Sequence, residues 1–247
     1  MGKKNRSKKK VSSCGKPFVS VCTPTYNRRI FIPALIKCFK SQTYPKELVE
    51  WIVIDDGKDK VEDLFKGVEC VKYFYYPEKI KLGRKRNLLH EKAKGDIIVY
   101  MDDDDFYPPE RINHAVNRLR SRPKALAAGS SAMYIYFKDT KKIFHFGPYG
   151  PRHSTAGTFA FRRELLLETK YDDDANMAEE KKFLKNYTVS FVQLDTMKTI
   201  LVFSHDYNTF DKRKLLVNAN PRFVKETGMK VKAFIKDKQL REFYMAQ

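Results

Sequence analysis

The stretch Ile97-Ile98-Val99-Tyr100-Met101-Asp102-Asp103-Asp104-Asp105 decides the fold of this chain. Its apolar half has no polar alternation, as a strand buried on both faces requires, and such strands belong to parallel sheets covered by helices. It then turns abruptly into four adjacent carboxylates, which repel one another unless positive charge lies among them. A divalent metal ion resolves that repulsion compactly. Alternate residues of an extended loop point the same way, so Asp102 and Asp104 can hold one ion while Asp103 faces elsewhere. A solvated acidic loop or a charge cluster at a helix start is the plainer alternative. Pro108 and Pro109 follow and open a helix in which Ile112, Ala115, Val116 and Leu119 keep helical spacing.

Upstream, the sequence alternates between strand and helix patterns. Residues 18–22 are apolar and β-prone and break at Thr23-Pro24-Thr25-Tyr26-Asn27. Ile32, Leu35, Ile36 and Phe39 then form one helical stripe closed by Pro45, and residues 50–54 predict a second strand ending at Asp55-Asp56-Gly57. Residues 71–76 predict a third strand, and 84–94 a helix stopped by Gly95. Repeated β-α-β units favour a parallel sheet with right-handed crossovers. The loops after the first, second and fourth strands leave from carboxyl ends, where open α/β sheets bind ligands. There Thr25, Tyr26 and Asn27 can border a nucleotide, and Asp56 can accept a hydrogen bond from a base N–H. Arg84 and Arg86 with Asn87, at a helix start, suit a diphosphate clamp. Ordinary turn chemistry and a solvated basic face are the respective alternatives.

Beyond residue 123 the pattern changes. Residues 132–137 and 143–146, joined by 138–142, read as an antiparallel hairpin, 158–161 and 200–203 as strands, and 163–168 and 179–185 as short helices. The expected fold is therefore α/β, with a mixed, mostly parallel sheet flanked by helices and a small antiparallel hairpin region in the second half.

Composition bounds the rest. A length of 247 residues at 42% hydrophobic content suits one α/β domain. No apolar run reaches the roughly 18 residues of a membrane span, and no signal-peptide pattern opens the chain, so a cytoplasmic location is expected. Cys14, Cys22, Cys38 and Cys70 lack metal-site spacing and read as reduced thiols. The net charge of +19 calls for an anionic partner: nucleic acid, an acidic membrane surface or a phosphorylated ligand. Much of that charge lies at the ends, in a basic tail over 1–16 that reads as disordered and in a basic segment over 216–247 read as helical. Either could make weak contact with anionic lipid.

Taken in order, the motifs resemble the family 2 glycosyltransferases of GT-A (Rossmann-like) fold. Val19-Ser20-Val21-Cys22-Thr23-Pro24-Thr25-Tyr26-Asn27-Arg28 is similar to the opening strand and loop, and Ser41-Gln42-Thr43-Tyr44-Pro45 to the end of the first helix. Val53-Ile54-Asp55-Asp56-Gly57, Arg86-Asn87, Ala93-Lys94-Gly95-Asp96-Ile97-Ile98, the Asp-x-Asp strand at Met101-Asp102-Asp103-Asp104-Asp105 and Pro109-Glu110-Arg111 follow in register. The resemblance is good over 17–125 and thinner beyond. It implies a hexosyltransferase-like enzyme using a nucleotide-sugar donor, a UDP-sugar, with an unidentified glycan, protein or lipid acceptor. It implies that Pro24 to Arg28 border the nucleotide, that Asp56 contacts the base and Asp103 the ribose, and that Asp102 and Asp104 bind Mn2+ or Mg2+. His205 resembles the late histidine that adds a metal ligand in some GT-A enzymes; a hydrogen-bonded structural histidine is the alternative. Ala178-Glu179-Glu180-Lys181-Lys182-Phe183 is similar to the family's Gly-Glu-Asp motif, which gives the catalytic base to Glu180 or Glu179, with a glutamate where the family has aspartate.

The implied division is a nucleotide-sugar-binding half over 17–125 and an acceptor-binding half over 126–215. A basic nucleic-acid-binding protein is the alternative from another class, motivated by charge and by abundant Tyr and Phe; those rings mostly fall in apolar strands, so no specific nucleic acid is expected. A metal-dependent nucleotidyltransferase is a further alternative, without a Gly-rich phosphate loop to support it.

Overall fold

Alternate residues of the apolar runs face opposite sides of one sheet, and both sides are covered. The computed structural model describes residues 15–175 and 180–247. Its first half runs β1 (Val19–Thr25), α1 (Ile32–Lys40), β2 (Val49–Asp55), β3 (Val71–Tyr75), α2 (Leu82–Lys92), β4 (Ile97–Tyr100) and α3 (Arg111–Arg120). The second half runs β5 (Ala127–Gly129), β6 (Met133–Phe137), β7 (Lys142–Phe146), β8 (Ala160–Arg162), α4 (Glu180–Phe183), β9 (Phe191–Gln193), β10 (Leu201–Ser204), β11 (Val224–Thr227) and α5 (Lys238–Ala246). The main sheet has the order β3-β2-β1-β4-β8-β5-β9, and a second sheet the order β10-β6-β7-β11. β3, β2, β1 and β4 are parallel, as the β-α-β pattern requires, and β8 enters antiparallel between β4 and β5.

The strands divide their side chains by parity. Val19, Val21, Trp51, Val53, Ile97 and Val99 join α1 and α3 in one core, while Cys22, Ile52, Ile54, Ile98 and Tyr100 join Leu88 and Leu89 of α2 in the other. The second sheet and α5 extend the first core through Ile135, Phe137, Phe203, Leu240 and Tyr244. Trp51 is wholly buried, stacks on Phe39 at 4.3 Å and donates its indole N–H to Thr23 at 2.9 Å, so its polar edge is satisfied.

The hairpin expected from the sequence is β6 and β7, in antiparallel register. The last expected strand is β10, which pairs in parallel with β6 in the second sheet. Two expectations change. Residues 216–247 are α-helical only at α5; β11 precedes it and pairs with β7, because Val224 to Thr227 match the free edge from Phe146 to Ile143. The short helix expected at 163–168 is a 3-10 helix over Arg163–Leu167. The expected basic tail, apart from its last residues, and Glu179 lie outside the described residues. No helix among the described residues is long and apolar enough to cross a membrane.

Buried His90 meets the Tyr100 hydroxyl at 2.6 Å and packs against the rings of Phe161, Tyr171 and Phe183. Burial, then the charges of Arg86 and Arg163, push its pKa down to about 3 from an ordinary 6.5. Between those values the unfolded chain binds a proton that the folded chain refuses, so stability falls as pH falls, by about 1.4 kcal/mol per pH unit at full effect. In urea titrations from pH 7 to pH 4, the wild type should lose stability more steeply than His90→Gln; parallel acid limbs would show that His90 is not held neutral.

Candidate active site

Loops from the carboxyl ends of β1, β2 and β4 converge, and hydrogen bonds rather than chance proximity hold them. Asn27, in the left-handed region at φ 53°, turns the chain after β1 and accepts the Lys58 N–H at 2.8 Å, which ties it to the loop after β2. Asp55 is spent on that second loop, accepting from Gly57 N, Val61 N and the Tyr73 hydroxyl. Asp56 is buried and accepts from Ile80 N at 2.6 Å and from Lys85, so its carboxylate orders the approach to α2. Lys79 lies 4.5 Å over the Tyr26 ring. Pro24 and Thr25 end β1 beside Ile54 and Asp55.

The acidic run is divided among different partners. Asp102 pairs with Arg86 at 3.0 Å, and its backbone N–H donates to the buried Tyr107 hydroxyl at 2.7 Å. Arg28 lies 3.8 Å from Asp103 and 3.9 Å from Asp104. Asp104 also faces His205 at 3.4 Å and accepts from Asn208 at 3.3 Å, while Asn208 contacts His205 Nε2 at 2.9 Å. Asp105 turns inward to accept Phe203 N at 3.0 Å, and its backbone carbonyl accepts from Tyr244 of α5 at 2.9 Å. Burial, then the charge of Asp104, pushes Asp103 up to about 8. Partial burial raises half-buried Asp104 as well, yet His205, Lys212 and Arg28 together hold it below the usual carboxylate range.

Beneath the run lies Arg111, wholly buried at the start of α3. Its guanidinium donates to the carbonyls of Tyr100, Thr158 and Phe159 at 3.2, 2.8 and 2.7 Å, which joins the end of β4 to the segment before β8. Gly157 lies against the acidic run: a Cβ there would stand 3.0 Å from the Asp102 carboxylate, which would have to shift to admit it.

Sequence reasoning missed Lys85, Asn208, Tyr107 and the reach of Tyr244. A signal existed for Lys85: with Leu88 and Leu89 it stands at i, i+3 and i+4 on the buried stripe of α2. The expected clamp divides. Arg86 points to Asp102, but Arg84 is exposed and pairs with Glu91 along the helix at 3.0 Å. Asn87 also faces away, bonding Tyr171 and Asp173 and so fastening the segment that leads to α4. Gly83 presses on that segment, where a Cβ would meet Asp172 O at 1.8 Å. Half-buried Glu180 opens α4, whose Phe183 stacks on Tyr171 at 4.3 Å. Asp102, Asp104 and His205 do not form a joint ligand set: among the described residues no three His, Cys, Asp or Glu side chains converge to hold a metal. Asp102 is turned aside by Arg86, leaving Asp104 and His205 together.

A mixed, mostly parallel sheet flanked by helices is the GT-A architecture, and solved glycosyltransferase structures share it. A Pyrobaculum calidifontis mannosyltransferase in complex with GDP-Man and Mn2+ superposes with a TM-score of 0.63 at 17% identity, covering 78% of this chain and 59% of that one. TarS 1-349 of S. aureus, in complex with UDP-GlcNAc, gives 0.59 at 19% identity, over 77% and 59%. The family model for glycosyl transferase family 2 matches residues 20–187, and the chain belongs to that family. An uncharacterized glycosyltransferase of Haemophilus influenzae is 29% identical over 121 residues, 47% of this chain and 48% of the relative. The chain spans about half the length of that relative.

The split between Arg84 and Arg86 is testable by calorimetry with UDP and Mn2+. Arg86→Met, which removes a charged hydrogen-bond donor from the carboxylate run, should weaken binding about tenfold or more, whereas Arg84→Ala should change it by less than about twofold. Equal losses would contradict the assignment.

Proposed function

We propose that the chain is an inverting glycosyltransferase that moves a sugar from a nucleoside diphosphate donor, a UDP-sugar, to an acceptor hydroxyl, with Mn2+ or Mg2+ as cofactor. The observation that carries the reading is Asp104 3.4 Å from His205, with Arg28 beside Asp104 and Arg86 on the neighbouring Asp102, at the carboxyl ends of the parallel strands. Family membership and the nucleotide sugars held by the structural neighbours support it. Residues 17–125 would form the donor half and 126–215 the acceptor half.

Two protein ligands suit such an ion. A carboxylate oxygen and an imidazole nitrogen 3.4 Å apart are hard-to-borderline donors, and Mg2+ and Mn2+ in phosphate-transfer sites take the rest of their shell from diphosphate and water. Asp104 and His205 would hold the ion, and when bound it supplies positive charge against the departing diphosphate. Arg86 and Arg28 oppose the same charge, and they act more on the transition state than on the ground state because the charge grows as the bond breaks. Glu180 accepts the acceptor hydroxyl proton as that oxygen bonds to the anomeric carbon; the bond from that carbon to the diphosphate breaks, and its electrons leave with the diphosphate. Tyr26 and the Asp56–Lys85 pair line the nucleotide side, with Asp103 toward the ribose.

Release of UDP from a panel of UDP-sugars should depend on Mn2+ or Mg2+ and vanish on chelation. Asp104→Ala should lose metal-dependent nucleotide binding. Glu180→Gln should bind UDP within about twofold of wild type yet lose turnover by a factor of about 10² or more, the range of a general base. Unaltered turnover in Glu180→Gln would move the base to another group, and metal-independent release would remove the ion from the account.

A further inference from the structure

Next to Glu180 stands a row of rings that the donor chemistry does not use. Phe223, Tyr149, His153 and Tyr187 follow one another with centroids 5.3, 5.1 and 5.1 Å apart. Tyr149 is 43% exposed, and the other three are half-buried, so the row forms an accessible surface rather than a core. It adjoins the site at both ends of its supports. Tyr187 follows the helical turn that Glu180 opens, joined to it by Leu184 N to Glu180 O and Thr188 N to Leu184 O, and the loop carrying Tyr149 and His153 runs on to Gly157 against Asp102.

Both supports are held more firmly than a plain connection needs. Tyr187 ends three successive non-glycine residues in the left-handed region, Lys185, Asn186 and Tyr187, at φ 52°, 55° and 61°. Each such residue costs about 1 kcal/mol or more, and the backbone persists because Asn186 N bonds Lys181 O and Thr188 N bonds Leu184 O. Opposite, Gln193 donates to the carbonyls of Pro151 and His153, both at 3.0 Å, and accepts Ser131 N at 2.8 Å, which ties the ring-bearing loop to β9. His153, between the two tyrosines, has its Nδ1 buried and without a hydrogen bond among the described residues, so the accessible part of the row is its tyrosines.

Aromatic faces carry partial negative charge, and one face of a pyranose presents only polarised C–H groups, so the two stack, while the ring hydroxyls at the edge seek polar partners. We propose that this row is an acceptor subsite for a sugar ring: Tyr149 and Tyr187 offer aromatic surface to its C–H face, and a hydroxyl of that sugar meets Glu180. The acceptor is then a glycan or glycoside rather than a protein or a simple alcohol. This inference rests on the transferase reading above.

Saturation-transfer NMR on the full chain with UDP and Mn2+ tests it, with methyl glycosides of glucose, galactose and N-acetylglucosamine as probes, glycerol as the acyclic control and UDP calorimetry alongside. Wild type should transfer saturation to ring C–H protons of at least one glycoside and not to glycerol. Tyr149→Ala and Tyr187→Ala should weaken that glycoside about three- to tenfold, with Tyr149→Trp retaining it and UDP binding unchanged within about twofold. Tyr149 is exposed, so its variants report even if Tyr187→Ala unfolds. UDP binding without glycoside contact, or equal glycoside binding in Tyr149→Ala, would overturn the subsite and leave the transferase reading intact. Failure of wild type to bind UDP would contradict both.

Discussion

The structure depends on how four consecutive carboxylates are kept together at the end of a buried strand. Two like charges about 4 Å apart in a partly buried site repel by about 4 kcal/mol at an effective dielectric of 20, comparable to much of a domain's net stability. The fold answers by giving each carboxylate a different environment. Asp102 takes Arg86, Asp103 and Asp104 share Arg28, Asp104 adds His205, and Asp105 turns into the protein to bind the backbone of β10. What remains at the surface is a concentrated negative charge ringed by cations, an arrangement able to exchange its internal partners for a metal ion and a diphosphate.

Distant parts of the chain are recruited to that task. α5, at the far end of the sequence, sends Tyr244 to the Asp105 carbonyl, and Arg111 clamps the segment before β8 from below. β10, in the second sheet, delivers His205 and Asn208. The second sheet therefore contributes to the donor side as well as standing behind the aromatic row, so the two halves of the chain cooperate at the acidic run.

Much of this was legible in the residues. Helical and strand periodicity gave the parallel strands and their order of helices, because the second and fourth apolar runs, Trp51 to Ile54 and Ile97 to Met101, are unbroken and each is stopped by Asp. Arg28, Asp104 and His205 were read as site residues and do come together. Arg84 and Arg86 could not be told apart from the sequence. They stand two positions apart, which on a helix means nearly opposite faces, and only the packing of α2 decides which face is inward. β11 was read as helix because its alternation is short and mixed with charge, and it becomes a strand only through the free edge of β7. Asn208 and Tyr244 owe their positions to contacts 104 and 139 residues away in sequence, which local patterns do not encode.

The central claim is that Asp104 and His205, 3.4 Å apart, hold a metal ion against the donor diphosphate. A crystal structure with Mn2+ and UDP, located by the anomalous signal of manganese, tests it most directly. The account predicts manganese bound by Asp104 and His205, with both phosphates in its shell and Arg28 withdrawn from the carboxylates. Manganese and nucleotide bound elsewhere, with Arg28 still seated between Asp103 and Asp104, would contradict it.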